Sequence, residues 1–195
     1  MPGTWITDDE LRSLRGRPVQ IDAEVLRERG VAGLDRVVAG GSYGALPALR
    51  SAVYTCKYRR VPAVAEALAP LLADAWELLP PMDGPVLCPV PLHWLRAFSR
   101  GFNQAEVLAC AVSPLIGAPV LPLLRRVRST GFQAKRAHAD RGGAMRGAFA
   151  CLGDCPSTVV LVDDVCTTGA TLGSCATALR ARGARRVFGL VLAAA

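Results

Sequence analysis

Residues 159–172, Val-Val-Leu-Val-Asp-Asp-Val-Cys-Thr-Thr-Gly-Ala-Thr-Leu, constrain the fold more than any other stretch of this chain. Four β-prone apolar residues with no polar alternation read as a strand buried on both faces, the environment of a parallel sheet covered by helices. The run ends in two adjacent carboxylates, Asp163 and Asp164, and a turn rich in hydroxyls and glycine follows from Thr167 to Thr171. A helical pattern then spans Gly169–Arg182 and is stopped by Gly183. The expected strand is Thr158–Asp163, so the acids fall at its carboxyl end. In open α/β sheets that end is where ligands bind.

The rest of the chain supports the same class. Strands are expected at Val86–Val90, Val120–Leu123 and Arg186–Leu192, with a short one at Ala148–Cys151. A helix capped by Asn103 and running to about Ile116 separates the first two. Alternating strands and helices predict an α/β fold with a mostly parallel central sheet and helices on both faces. Before this core, Leu46–Leu79 reads as two helices broken near Pro62, with Leu49, Val53, Val64, Leu68, Leu71 and Leu72 on apolar faces. Pro80–Pro85 is a turn-forming connector. Short helical patterns at Asp8–Leu14 and Ala23–Arg29 and a strand and turn at Arg36–Gly44 occupy the N-terminal part, where no chemistry is legible. We expect an N-terminal appendage or hood at residues 1–42 and one domain at residues 43–195.

The acids and the turn suggest one kind of ligand. Backbone N–H groups, hydroxyls and a helix N-terminus can hold a single phosphate at residues Thr167, Thr168, Gly169, Ala170 and Thr171. Asp163 and Asp164 beside that cup suit two neighbouring hydroxyls of a ribose. Chemistry alone therefore reads this as a phosphoribosyl site. The competing reading is an Asx-type turn with a capped helix behind it, which requires no ligand. A nucleoside triphosphatase reading lacks its partner, because no Gly-x-x-x-x-Gly-Lys-Ser/Thr occurs.

Charge is concentrated elsewhere. The chain carries a net +7, and residues 96–146 alone hold nine Lys/Arg against Glu106 and Asp140, a balance of +7. The positive field belongs to the middle of the chain, and its target is a polyanion or a heavily phosphorylated small molecule. In the 93–105 loop, Arg96 and Arg100 can pair with phosphate oxygens, and Gly101 permits close backbone approach. Trp94, Phe98 and Phe102 in that loop read either as core anchors or as stacking platforms. The segment 125–146 is too long and polar for a simple connection, which favours a mobile functional loop containing Lys135, Arg136 and Arg141. A solvated basic loop is the bland alternative. Lys57, Arg59 and Arg60 sit where they oppose a helix dipole.

Cysteine usage and hydropathy bound the setting. Seven cysteines, an odd number without a secretory context, point to reduced thiols and a cytoplasmic protein. The acidic start lacks the apolar stretch of a secretion signal. Val107–Leu124 is uncharged, but Pro114, Gly117, Pro119 and Pro122 argue against membrane insertion. Cys88, Cys110, Cys166 and Cys175 are expected as small core residues. Cys151-x-x-x-Cys155 has ligand spacing for a metal but no matching second pair.

Several of these segments together carry a family resemblance. Residues 159–172 resemble the signature of type I phosphoribosyltransferases, which bind 5-phosphoribosyl-1-pyrophosphate (PRPP). Cys-Pro-Val-Pro-Leu (88–92), Arg-Gly-Phe-Asn-Gln-Ala (100–105) and the Gln133…Arg141…Gly147-Ala148-Phe149 series narrow the likeness to the ComF/GntX-like branch, associated with bacterial DNA uptake. It extends from about Tyr43 to the C-terminus. The resemblance implies a type I phosphoribosyltransferase-like fold, with catalytic roles for Asp163 and Asp164 and a 5′-phosphate loop at 167–171. It further implies pyrophosphate contacts from Arg96, Arg100 and Gly101, and a flexible loop with Lys135, Arg136 and Arg141 closing over PRPP. Mg²⁺ is the implied cofactor, bound through PRPP and water rather than directly. Ala144 stands where the branch usually has asparagine. The four-cysteine zinc module of many ComF-like proteins is expected to be absent, since no cysteine precedes Cys56. Two functions follow from the resemblance: phosphoribosyl transfer to an unidentified acceptor with release of pyrophosphate, or non-catalytic PRPP binding coupled to single-stranded DNA binding during transformation.

Overall fold

The computed structural model describes residues 8–15, 17–44, 47–58, 62–92, 102–127 and 147–195. In chain order the elements are α1 (Asp8–Leu14), β1 (Val19–Asp22), α2 (Ala23–Glu28), β2 (Arg36–Ala39), α3 (Pro47–Tyr58), α4 (Pro62–Trp76), β3 (Val86–Pro89), α5 (Gln104–Ile116), β4 (Leu124–Arg126), β5 (Phe149–Cys151), β6 (Thr158–Cys166), α6 (Ala170–Arg180) and β7 (Arg186–Ala194). Five strands form one sheet in the order β1-β2-β7-β6-β3. The three inner pairings are parallel, and only the β1 edge is antiparallel. This is the mostly parallel, helix-covered sheet expected of the type I phosphoribosyltransferase-like class.

Both faces of the sheet are covered, which is why the inner strands β6 and β7 are continuously apolar over Val159–Val162 and Val187–Ala194 rather than alternating. Val160 and Val162 of β6 join one core with Leu49 and Val53 of α3, Leu68, Leu71 and Leu72 of α4, and Leu108 and Val112 of α5. Val159 and Leu161 join a second core with Leu26 of α2 and Leu172, Cys175 and Leu179 of α6. The chain leaves β3 through α5 to Val120, which bridges Leu87 on the outer side of β3. It leaves β6 through α6 to β7, on the opposite side and across the other face. The strand order therefore reverses between β3 and β6, and that reversal opens a crevice at their carboxyl ends.

Three local expectations are corrected. The central strand does not stop at Asp163 but continues to Cys166, pairing Val165 with Ala193 and Cys166 with Ala194. The long, apolar β7 offers a ladder beyond the acids, and the chain uses it. Val120–Leu123 is not a strand. It makes one bridge, in which Leu87 N–H donates to Pro119 O and Leu121 N–H to Leu87 O, before turning into β4. Pro119 and Pro122 supply no N–H donors, so the ladder cannot lengthen there. Cys110 is exposed rather than buried, because α5 buries Ala105, Leu108, Ala109 and Val112 and position 110 faces away from that stripe.

The β4–β5 hairpin bears on the long basic segment. Leu124 pairs with Cys151 and Arg126 with Phe149, and Val127 N–H donates to Ala148 O. Both ends of the intervening segment are thus fixed side by side over the second core, where Leu124, Ala148 and Phe149 are buried. Among the described residues no helix is long and apolar enough to cross a membrane.

Candidate functional site

The site forms where β6 outruns its neighbour. β3 ends at Pro89, paired with Val162, and Val90 N–H donates to Val162 O. Asp163–Cys166 extend past that point with β7 on one side only. Asp163 and Asp164 are half-buried, and the Asp164 N–H donates to the Asp163 carboxylate at 2.8 Å. That bond occupies one lone pair of Asp163 and orients its carboxylate.

The turn behind the acids is built by glycine and by packing. Gly169 has φ 82°, left-handed backbone that a β-carbon disfavours, and it turns the chain from strand to helix. The Thr168 hydroxyl accepts from Ala170 N–H at 3.3 Å in place of a conventional N-cap. Gly173, one turn on, lies against Val31, where a β-carbon would come within 2.6 Å of Cγ1. Asp163, Val165, Cys166 and residues 167–172 together line a shallow concavity open to solvent. Thr167 and Thr168 are exposed at its rim. The first turn of α6 thus presents N–H groups and hydroxyls to a space suited to an anion.

The N-terminal part of the chain, where the sequence offered no chemistry, supplies the back of this cup. The Arg29 guanidinium donates to Thr167 O at 3.4 Å and to an Ala195 oxygen at 3.5 Å. Arg180 of α6 donates to Gly33 O at 2.6 Å and makes a two-pronged contact with Asp35 at 2.8 Å. Asp35 in turn accepts from Val187 N–H at 2.7 Å. Segment 29–35 therefore clamps α6 against the sheet and holds the anion-facing turn in shape. A lone arginine after a short helix carries no motif, so spacing alone could not have singled out Arg29.

Comparison with known proteins gives a clear relationship. No protein-family model matches the chain. It is 32% identical over 160 residues to the DNA utilization protein YhgH of Salmonella typhi, and to that of Salmonella typhimurium, a match covering 78% of this chain and 69% of theirs. Competence protein F of Haemophilus influenzae is 36% identical over 114 residues. The chain belongs to the ComF family. Its match spans 55% of this chain and half the length of competence protein F. Among solved structures, adenine phosphoribosyltransferase of Leishmania tarentolae aligns with 70% of this chain and 74% of its own, at 17% identity and a TM-score of 0.35.

Within this ComF-family chain, the expected site residues divide into two groups. Asp163, Thr167, Thr168, Gly169, Ala170 and Thr171 meet in one concavity, whereas Asp164, the next residue of β6, is not among its lining residues. Arg96, Arg100, Gly101, Lys135, Arg136 and Arg141 lie outside the described residues, as do Trp94, Phe98, Gln133, His138 and Ala144 and the side chains of the Lys57–Arg60 cluster. Asn103 caps α5 as expected, accepting from Ala105 N–H at 3.2 Å, and also donates to Val90 O. That bond ties the start of α5 to the end of β3, on the far wall of the crevice.

Cys166 is buried under the turn. Burial, aided by the nearby Asp163 carboxylate, pushes its thiol up to about 11, with Arg29 opposing. Among the described residues no group of three or more His, Cys, Asp or Glu is placed to hold a metal ion. Asp163 and Asp164 are hard oxygen donors, the type Mg²⁺ accepts when most of its shell is phosphate and water.

Proposed function

We propose that this chain binds PRPP at the carboxyl end of β6 and belongs to the phosphoribosyltransferase-fold side of DNA uptake. The observation that carries the reading is the shared concavity of Asp163 and the 167–171 turn at the reversal of strand order. In this reading the turn holds the 5′-phosphate through its N–H groups and hydroxyls, while Asp163 and Asp164 accept from the ribose hydroxyls. The ribose is then fixed with C1 toward the crevice between β6 and β3. Arg96, Arg100 and Gly101, following β3, would take the pyrophosphate, and Lys135, Arg136 and Arg141 would close over it.

The chemistry such a site equips is glycosyl transfer. The bond between C1 and pyrophosphate breaks, the sugar gains positive character, and an acceptor attacks from the opposite face. Mg²⁺, held by PRPP oxygens and water beside the carboxylates, would supply charge neutralisation for the departing pyrophosphate. The protein's share is orientation: two carboxylates and a phosphate cup immobilise the sugar at both ends.

The names of the relatives, a competence protein and a DNA utilization protein, favour a second activity at the basic segment. Single-stranded DNA and pyrophosphate are both polyanions, so the +7 balance of residues 96–146 suits either. Calorimetric titration with PRPP and Mg²⁺ tests the first reading. Saturable binding that Asp163→Asn and Asp164→Asn both weaken is the expected result, and unchanged titrations would overturn it. Pyrophosphate release with a panel of bases then separates transfer from binding. A steep log–log salt dependence of oligonucleotide binding would mark DNA contact through the basic segment.

A further inference from the structure

Cys151 ends β5, and Cys155 follows three exposed residues later, in the connection to β6. Their sulfurs are 2.8 Å apart, closer than two unbonded sulfur atoms ordinarily approach and within a small shift of the roughly 2.0 Å of a disulfide. We propose that Cys151 and Cys155 form a dithiol that closes to a disulfide by exchange with a small-molecule disulfide. The pair stands apart from the Asp163 site, and the inference does not rest on PRPP binding.

Geometry around the pair favours closure. Leu152 N–H donates to Leu123 O, and Cys155 N–H donates to Arg182 O, so each thiol is fixed through its neighbouring backbone at 2.9 Å. Those bonds hold the two backbone positions together, so that only side-chain rotation separates the sulfurs. Leu152, Gly153 and Asp154 are exposed, and both cysteines are half-buried, which leaves a path for a small reagent. Two thiols are half of the usual four-ligand zinc set, and no third ligand joins them among the described residues. Redox chemistry is what such a pair can perform alone.

The step balances as two exchanges. One thiolate attacks the reagent disulfide, forming a mixed disulfide and releasing one reagent thiol. The second protein thiol, deprotonated to solvent, attacks the protein-side sulfur and releases the other reagent thiol. Two protein thiols are oxidised and one reagent disulfide is reduced. Burial and the hydrogen bond with Cys151 push the Cys155 thiol up to about 12. Both steps are therefore slow at neutral pH, and a poor leaving thiolate makes the product resistant to reduction. These properties suit a staple rather than a fast sensor. The bond would close a short loop at the foot of β5, which is one arm of the β4–β5 hairpin.

The test uses the 195-residue chain carrying Cys110→Ser, which removes the one fully exposed thiol among the described residues, incubated with oxidised glutathione in graded redox buffers. Free thiols are blocked under denaturing conditions, and the cross-link is mapped without reduction. The expected product loses the mass of two hydrogen atoms, joins Cys151 to Cys155, and raises Tm by about 5 °C. Cys155→Ser should abolish the mass loss and instead leave a glutathione adduct on Cys151. A product with all thiols free in excess oxidised glutathione would overturn the proposal. So would a cross-link through Cys88, which lies buried in the core beside the pair.

Discussion

β6 and β7 are neighbours of equal length, nine residues each, paired in parallel along nearly their whole course, yet their carboxyl ends do opposite things. Opposite Asp163 stands Val191, and β7 stays apolar and buried through Ala194. The difference comes from their other neighbours. β7 is flanked on its far side to the end: Gly40 N–H donates to Val191 O, Ala194 N–H to Gly41 O, and Tyr43 N–H to Ala194 O. β6 loses its far neighbour at Val162, where β3 stops. Where β3 stops, the end of β6 carries half-buried carboxylates, whereas the fully flanked end of β7 stays apolar and buried.

The largest expected effect separates the two ends directly. Val191→Asp places a carboxylate where the sheet is closed on both sides and should destabilise by about 4 kcal/mol or more, read by denaturant unfolding. Its partner across the ladder should behave otherwise. Asp163→Asn and Asp164→Asn are expected to change stability by no more than about 1 kcal/mol, since the amide oxygen can still accept from the neighbouring N–H. Under the proposed function each lowers PRPP affinity roughly 30-fold, about 2 kcal/mol, by calorimetry. If Asp163→Asn unfolded the chain as Val191→Asp does, the acids would be structural and the contrast between the strands would vanish.

A smaller effect probes how the turn is held. Gly173→Ala pushes a β-carbon against Val31 and should cost about 1–2 kcal/mol in stability. Val31→Ala creates the missing space, so the double variant should recover much of the Gly173→Ala loss. Additive losses in that double-mutant cycle would mean that the loop before β2 does not brace α6.

How far the sequence went follows from the same neighbour relations. The strand 159–162, the acids and the hydroxyl–glycine turn were legible because each rests on local chemistry: β propensity, charge and the φ freedom of Gly169. The extension of β6 to Cys166 was not, because it depends on a ladder to β7 that sits more than twenty residues away. Val120–Leu123 misled for the converse reason. Its apolar composition suits a strand, but two prolines remove the donors a ladder needs. Cys110 looked like core by composition, and only the helical phase of α5 turns it outward. Arg29 and Val31 stayed invisible because their role is purely tertiary. They act on a turn well over a hundred residues later in the chain.

Arg29 is therefore the finest probe of the comparison, and its expected effect is the smallest. Its guanidinium reaches the oxygens at the ends of both strands, Thr167 just past β6 and Ala195 just past β7. It is the one described side chain shown bonding to both strand ends. Being exposed, it contributes little to folding, and Arg29→Gln should change stability by less than about 0.5 kcal/mol. Its charge nevertheless lies beside the anion-facing turn, so affinity for PRPP or inorganic phosphate should fall by at most about fivefold, roughly 1 kcal/mol. Being electrostatic, that loss should shrink as salt is raised, and Arg29→Lys should restore most of it. A loss that persists at high salt, or that lysine fails to restore, would assign Arg29 to bracing the turn rather than attracting the anion.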